Sequence, residues 1–119
     1  MSLFTKNECY QTASTYAGYI TFHLDEHRRR AFNTNQLIAY ALDPNPAADA
    51  GRNDPPQMLS FQFANADVVA LGWRLDFLMD RLAETKLSSL CILPKRYADL
   101  DRAKVFVAAI TISPIGNEK

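Results

Sequence analysis

The pattern of apolar residues changes twice between Leu59 and Pro94, and this change constrains the fold more than any other feature of the sequence. Leu59, Phe61 and Phe63 alternate with polar or small residues, which is the period of a strand with one buried face. A helical repeat follows, and a short apolar run then ends at Pro94. The stretch therefore predicts a strand, a helix and a second strand in that order.

The helical repeat covers residues 73–86. Its apolar residues recur at positions i, i+3, i+4 and i+7, which gives a stripe wide enough to pack on a sheet. They are Leu75, Leu78, Met79 and Leu82. Before the helix, a turn at residues 65–67 and an extended segment at 68–71, which Gly72 ends, predict a hairpin with the strand at 59–63.

Further strands are predicted on both sides of this stretch. Residues 19–24 favour a half-buried strand, although residues 16–27 also fit helical spacing. Residues 37–42 favour another strand, with a short helix capped by Thr34 or Asn35 as the alternative. Residues 90–93 predict a strand, 97–102 a short helical turn, and 105–112, apolar on both faces, a central strand. Residues 1–15 carry too few periodic cues for an assignment.

Length and composition indicate one domain over residues 1–119. A chain of 119 residues with 48% hydrophobic and 22% charged residues is typical of a single globular unit. The predicted fold class is α+β, with a mainly antiparallel sheet of about five strands and the helix at 73–86 packed on one face. Residues 43–57 hold four of the six prolines and predict an exposed loop.

Charge and hydropathy exclude several classes of partner. Thirteen basic and thirteen acidic residues give zero formal charge, so no general field attracts nucleic acid or an anionic membrane. The apolar runs are shorter than the roughly 20 residues that cross a bilayer. We therefore expect a cytoplasmic protein with no membrane partner, and nucleic acid is an unfavoured partner. No motif predicts a cofactor, and Cys91, inside an apolar run, is interpreted as a buried inert thiol.

His23 and His27 suggest one site. The run from His23 to His27 spells H-x-x-E-H, the pattern of inverted zinc peptidases, but the chain is too short for that architecture. In an extended segment His23, Asp25 and His27 share one face and offer a metal set. Successive same-face residues lie about 6.6 Å apart, so only a sharp bend would bring them to one ion. The alternative is a solvated strand end.

Three consecutive arginines form a second candidate. Arg28, Arg29 and Arg30 offer forked donors to a phosphate. A solvated turn neutralised by Asp25 and Glu26 is favoured over this ligand site, because no glycine-rich loop accompanies the arginines.

The helix face opposite the apolar stripe is the third candidate. At 100° per residue it carries Trp73 and Phe77 beside Asp80 and Glu84. Asp76, Asp80 and Glu84 form an acidic ladder whose repulsion costs about 0.2–0.5 kcal/mol per pair. Two large aromatics beside such a ladder predict a covering surface, supplied either by the chain itself or by a partner.

The sequence therefore predicts a non-enzymatic protein interaction or assembly module that forms a homodimer through the outer helix face. The alternative is a small-ligand, metal or nucleic-acid binding protein centred on His23, His27 and the three arginines. An enzyme is disfavoured, because no nucleophile motif is present.

Overall fold

The structure, a computed structural model, describes residues 9–25, 27–49, 54–92 and 105–114. Strands dominate these residues. In chain order the elements are β1 (Tyr10–Thr12), β2 (Tyr19–His23), β3 (Arg29–Asn33), a 3-10 turn (Thr34–Gln36), β4 (Leu37–Pro44), β5 (Gln57–Phe63), β6 (Ala66–Trp73), α1 (Asp76–Ala83), β7 (Leu87–Cys91) and β8 (Phe106–Pro114).

The strands form two sheets of four. Sheet A has the order β1-β7-β2-β3, and sheet B has the order β4-β5-β6-β8. Every pair in sheet B is antiparallel, whereas β2 and β7 in sheet A are parallel. The architecture is mostly β with one helix, which is consistent with the α+β class. The prediction of one sheet with about five strands is wrong, because β2 pairs with β3 and β7 in a separate sheet and not with the β5–β6 hairpin.

The core lies between the two sheets and is built by alternation along the strands. The predicted inward residues of β5, Leu59, Phe61 and Phe63, are all buried. Phe22 of sheet A lies across the core from Phe61, with 5.2 Å between ring centroids. Phe32 stacks on Phe63 at 4.6 Å. Each such ring contributes roughly 1.5–3 kcal/mol by leaving water, so this aromatic cluster holds the sheets together.

The hairpin of β5 and β6 is confirmed, but β6 extends past Gly72, where a strand end was predicted. Gly72 pairs with Gln57 of β5 and with Val107 of β8. A Cβ at this position would lie 2.0 Å from the backbone oxygen of Phe106, so only glycine allows β8 to approach this closely. β6 then continues to Trp73.

Helix α1 is shorter than the predicted 73–86. It begins at Asp76 because Trp73 still belongs to β6 and Arg74 has a φ of 58°, which breaks regular structure. The N–H of Leu75 donates to Oε1 of Gln57 at 2.6 Å, which satisfies one donor at the helix start. The helix ends before Thr85, where φ is 57°.

The apolar stripe of the helix packs as predicted. Leu75 and Leu78 are completely buried and Leu82 is 7% exposed. Met79 packs against the same core cluster. The helix contacts β4 of sheet B and β7 of sheet A, so it links the two sheets.

The remaining strand predictions vary in accuracy. The strands predicted at 19–24, 37–42 and 90–93 are found at 19–23, 37–44 and 87–91. β8 pairs only with β6 among the described residues, so the prediction of a central strand there is wrong. Its apolar character instead reflects packing on both faces at its start, where Phe106 contacts Trp73. The helical turn predicted at 97–102 lies outside the described residues.

The proline-rich loop is shorter than the predicted 43–57, because β4 extends to Pro44 and β5 begins at Gln57. Residues 46–49 are exposed, as expected. The loop is closed by hydrogen bonds at its base, where the N–H of Asn45 donates to the oxygen of Pro56 at 2.9 Å. Nδ2 of Asn45 also donates to the oxygen of Pro55 at 2.8 Å. Residues 50–53 lie outside the described residues.

Candidate functional site

Asp25 organises the turn that follows β2. Its Oδ1 accepts hydrogen bonds from the backbone N–H groups of His27 and Arg28, both at 2.8 Å. Its Oδ2 pairs with Nε of Arg28 at 2.8 Å. These donors, with the His27 N–H the largest contribution, lower the pKa of Asp25. No group of three or more histidine, cysteine, aspartate or glutamate side chains that could hold a metal ion is found in the described ranges, so His23, Asp25 and His27 are not assembled as a ligand set there.

The three predicted arginines do not form one patch. Arg28 lies in the turn, and its guanidinium is paired with Asp25. Arg29 and Arg30 are consecutive on β3, so their side chains leave opposite faces of sheet A. Arg29 is the register partner of His23 and Arg30 that of Phe22. Glu26, the second predicted partner, lies outside the described residues.

Two groups beside this strand have shifted pKa values. Burial, and secondarily the charge of Arg29, lowers the pKa of His23. Burial raises the pKa of the Cys91 thiol to about 11, and Cys91 is the register partner of His23 in β7. A thiol with this pKa is protonated at neutral pH, which fits the interpretation of Cys91 as a buried thiol of low reactivity.

The outer surface of α1 retains three of its four predicted residues. Phe77, Asp80 and Glu84 are exposed, and Phe77 keeps 37% of its surface accessible. The guanidinium carbon of Arg81 lies 4.8 Å from the centroid of the Phe77 ring, and Nη2 of Arg81 pairs with Glu84 at 3.2 Å. We call Phe77, Asp80, Arg81 and Glu84 the helix patch.

Two further observations describe the helix patch. Tyr10 of β1 contacts the Phe77 ring at 5.3 Å between centroids, so part of the predicted cover comes from the chain itself. Nε of Arg81 is shielded from solvent and has no hydrogen-bond partner among the described residues. A buried donor without an acceptor costs about 1–3 kcal/mol.

Trp73 does not belong to the helix patch. As the last residue of β6 it packs edge-on against Phe106 of β8, with 5.4 Å between centroids. The prediction that Trp73 and Phe77 share one face is therefore wrong, because the helix begins three residues later than its apolar pattern indicates.

A second surface, the outer face of sheet B, was missed by sequence reasoning. Several of the side chains that alternate with the core residues there are small or polar, and together with Val69 they line an open depression of about 370 Å³. We call this depression the trough. Its outward side chains are Ala39, Ala41, Ser60, Gln62, Asp67 and Val69.

Ile38 precedes the trough residue Ala39 in β4 and is 66% exposed. It is the extra residue of a bulge in β4, between Leu37, which pairs with Phe63, and Ala39, which pairs with Gln62. A bulge places an additional side chain beside its neighbour, which accounts for an isoleucine at the surface. The alternation of β4, β5 and β6 contained the signal for this face, but only its buried half was interpreted.

Comparison with known proteins gives no matching family model, no matching curated protein and no matching solved structure. None of the described helices is long and apolar enough to cross a membrane.

Proposed function

We propose that this chain is a non-enzymatic interaction and assembly module that forms a homodimer through the helix patch. The observation that carries the proposal is the exposed Phe77 ring with the Arg81 guanidinium stacked on it. Aromatic residues and arginine are the side chains most enriched at interfaces and at their energetic centres. A location in the cytoplasm stays a prediction.

Charge supports a two-fold arrangement of this contact. If two copies of α1 pack antiparallel, with the axis midway between residues 77 and 81, Phe77 of each copy faces Arg81 of the other. Each guanidinium then lies close to its own Glu84 and to Asp80 of the other copy, which offsets part of the repulsion of the acidic ladder. A small rotation of Arg81 would also give its Nε an acceptor in the second copy.

The expected affinity is modest. The eight residues of α1 span only about 12 Å, so the contact buries less than the roughly 800 Å² per partner of a standard interface. We therefore expect a dissociation constant in the micromolar range or weaker. Exposed acidic residues at the rim add salt dependence without much affinity.

Sedimentation equilibrium tests the dimer up to about millimolar concentration. The wild type should dimerise, and Phe77→Glu should be monomeric, because it places a charge at the apolar centre of the contact and adds repulsion to Asp80. Ile38→Glu is the matched control, since it also puts a carboxylate on an exposed apolar position but lies away from the helix patch. It should dimerise like the wild type.

Two outcomes would overturn the proposal. A wild type that stays monomeric at the highest concentration excludes the dimer. A Phe77→Glu variant that unfolds by circular dichroism, while Phe77→Ala stays folded and still dimerises, shows that Phe77 packs within its own chain and not against a second copy.

A ligand site at His23, His27 and the arginines is not proposed. The Asp25 carboxylate and Arg28 are committed to the turn, and Arg29 and Arg30 leave opposite faces of sheet A.

A further inference from the structure

We propose that the trough on the outer face of sheet B is a docking site for an amphipathic helix that carries basic residues. This surface lies on the opposite side of sheet B from α1, whose buried residues belong to the core cluster. The inference is therefore independent of self-association through the helix patch.

The shape of the trough fits a helix. Small side chains, Ala39, Ala41 and Ser60, leave the surface low across β4 and β5, and Val69 continues it onto β6. Three adjacent strands span about 10 Å, which matches the 10–12 Å diameter of a helix with its side chains. Ile38, next to Ala39 in β4, is an exposed apolar side chain. An amphipathic helix recognises such a surface through residues at i, i+3, i+4 and i+7.

The charges on this face select a basic partner. Alternation and register place Asp43 and Asp67 on the outer face of sheet B. Among the described residues, the outward positions of the four strands of sheet B carry these two charged side chains and no others. Both are exposed. Nucleic acid would be repelled by two carboxylates. A second copy of the same face would bring like charges together, so a lysine- or arginine-bearing helix is the complementary occupant.

The positions of the two aspartates set the spacing of the basic residues. Asp67 is in register with Gln62, which pairs with Ala39, and Asp43 lies four residues further along β4. Two strand spacings and four residues of strand place the two carboxylate positions about 17 Å apart. Eleven residues of helix rise about 16.5 Å and return to the same face. The favoured partner therefore carries lysine or arginine 11 positions apart, with apolar residues between them on that face.

Isothermal titration with a synthetic peptide tests the site. The probe is an 18-residue helical peptide with a leucine stripe and lysines 11 positions apart on the same face. A first control replaces both lysines by glutamate, and a second moves the leucines off the stripe without changing composition. We expect micromolar binding of the probe, at least tenfold weaker binding of the glutamate peptide, and loss of binding by the scrambled peptide.

Variants of the chain locate the contact. Asp67→Asn should weaken binding about threefold, the effect of one exposed charge pair, and adding Asp43→Asn should weaken it further. Ala41→Arg should abolish binding, because it fills the trough and adds a positive charge that repels the lysines of the peptide. Phe77→Glu is the control and should bind as the wild type does.

The proposal fails if the probe does not bind, if the glutamate peptide binds equally well, or if Asp67→Asn and Ala41→Arg, both folded by circular dichroism, bind as the wild type does. It also fails if amide chemical shifts on peptide addition change mainly outside β4, β5 and β6. A single-stranded oligonucleotide that binds these strands more tightly than the probe would assign the trough to nucleic acid instead.

Discussion

Cys91 is the single residue whose chemistry the structure predicts most directly. Burial raises the pKa of its thiol from 9.0 to about 11, because the thiolate is the form that loses solvation. We expect alkylation by iodoacetamide, followed by mass spectrometry of the Cys91 peptide, to be slow at pH 8 and to rise with a midpoint near pH 11. The same peptide should react with a midpoint near pH 9 in denaturant.

The raised pKa of Cys91 also determines how this residue's contribution to stability changes with pH. Since the folded state holds this proton more tightly than the unfolded state, the contribution of Cys91 is present below about pH 9 and is lost as pH rises toward 11. Cys91→Ala should remove that part of the alkaline slope in urea titrations. Fast alkylation of the native protein at pH 7 would contradict the prediction and restore Cys91 as a candidate nucleophile.

At the scale of elements, the buried and exposed sides of α1 contribute differently to the free energy of unfolding. Leu78 is completely buried, so Leu78→Ala should reduce the free energy of unfolding by about 2–5 kcal/mol through the cavity that it leaves. Asp80 is exposed, and Asp80→Ala should change the free energy of unfolding by less than about 0.5 kcal/mol. Urea denaturation of both variants measures the difference. Equal effects would mean that the helix is rotated about its axis relative to the structure.

Local patterns predicted this helix well but not its ends. The stripe of Leu75, Leu78 and Leu82 depends only on a 3.6-residue period, and the structure confirms it. The two ends of the helix depend on backbone turns that the residue types at those positions do not predict. Thr85 takes a left-handed conformation, φ 57°, where glycine is the usual signal, and the N–H of Lys86 donates to the oxygen of Arg81 to close the helix.

The candidate surfaces were predictable to a similar extent. The helical period alone places Phe77, Asp80 and Glu84 on one face of α1. That Trp73 lies outside this face follows only from the position where the helix begins. The turn at Asp25 was one of two open interpretations, and only its hydrogen bonds from His27 and Arg28 decide it. The trough depends on which strands are neighbours, so no local pattern contained its shape.

At the scale of the whole molecule, the partition into two sheets is the feature that local patterns could not supply. β2 pairs with β7, although 63 residues or more separate their sequences, and this parallel pairing places the chain after the helix in sheet A. Alternation fixes which side of a strand is apolar but not its neighbour. The crossing of the chain from one sheet to the other leaves the outer face of sheet B turned away from the helix patch.

Because the helix patch and the trough lie on opposite sides of sheet B, we expect them to act independently. A dimer formed through Phe77 should bind two basic peptides, one per chain, with equal affinities. Phe77→Glu should then bind one peptide with unchanged affinity, and Asp67→Asn should dimerise with an unchanged constant. Sedimentation with and without saturating peptide, combined with titration of both variants, measures each constant.

Coupling between two sites is reciprocal, so a peptide that shifts dimerisation must bind dimer and monomer with different affinity. Such a shift would show that dimerisation changes the trough, and the assignment of two separate surfaces would be wrong.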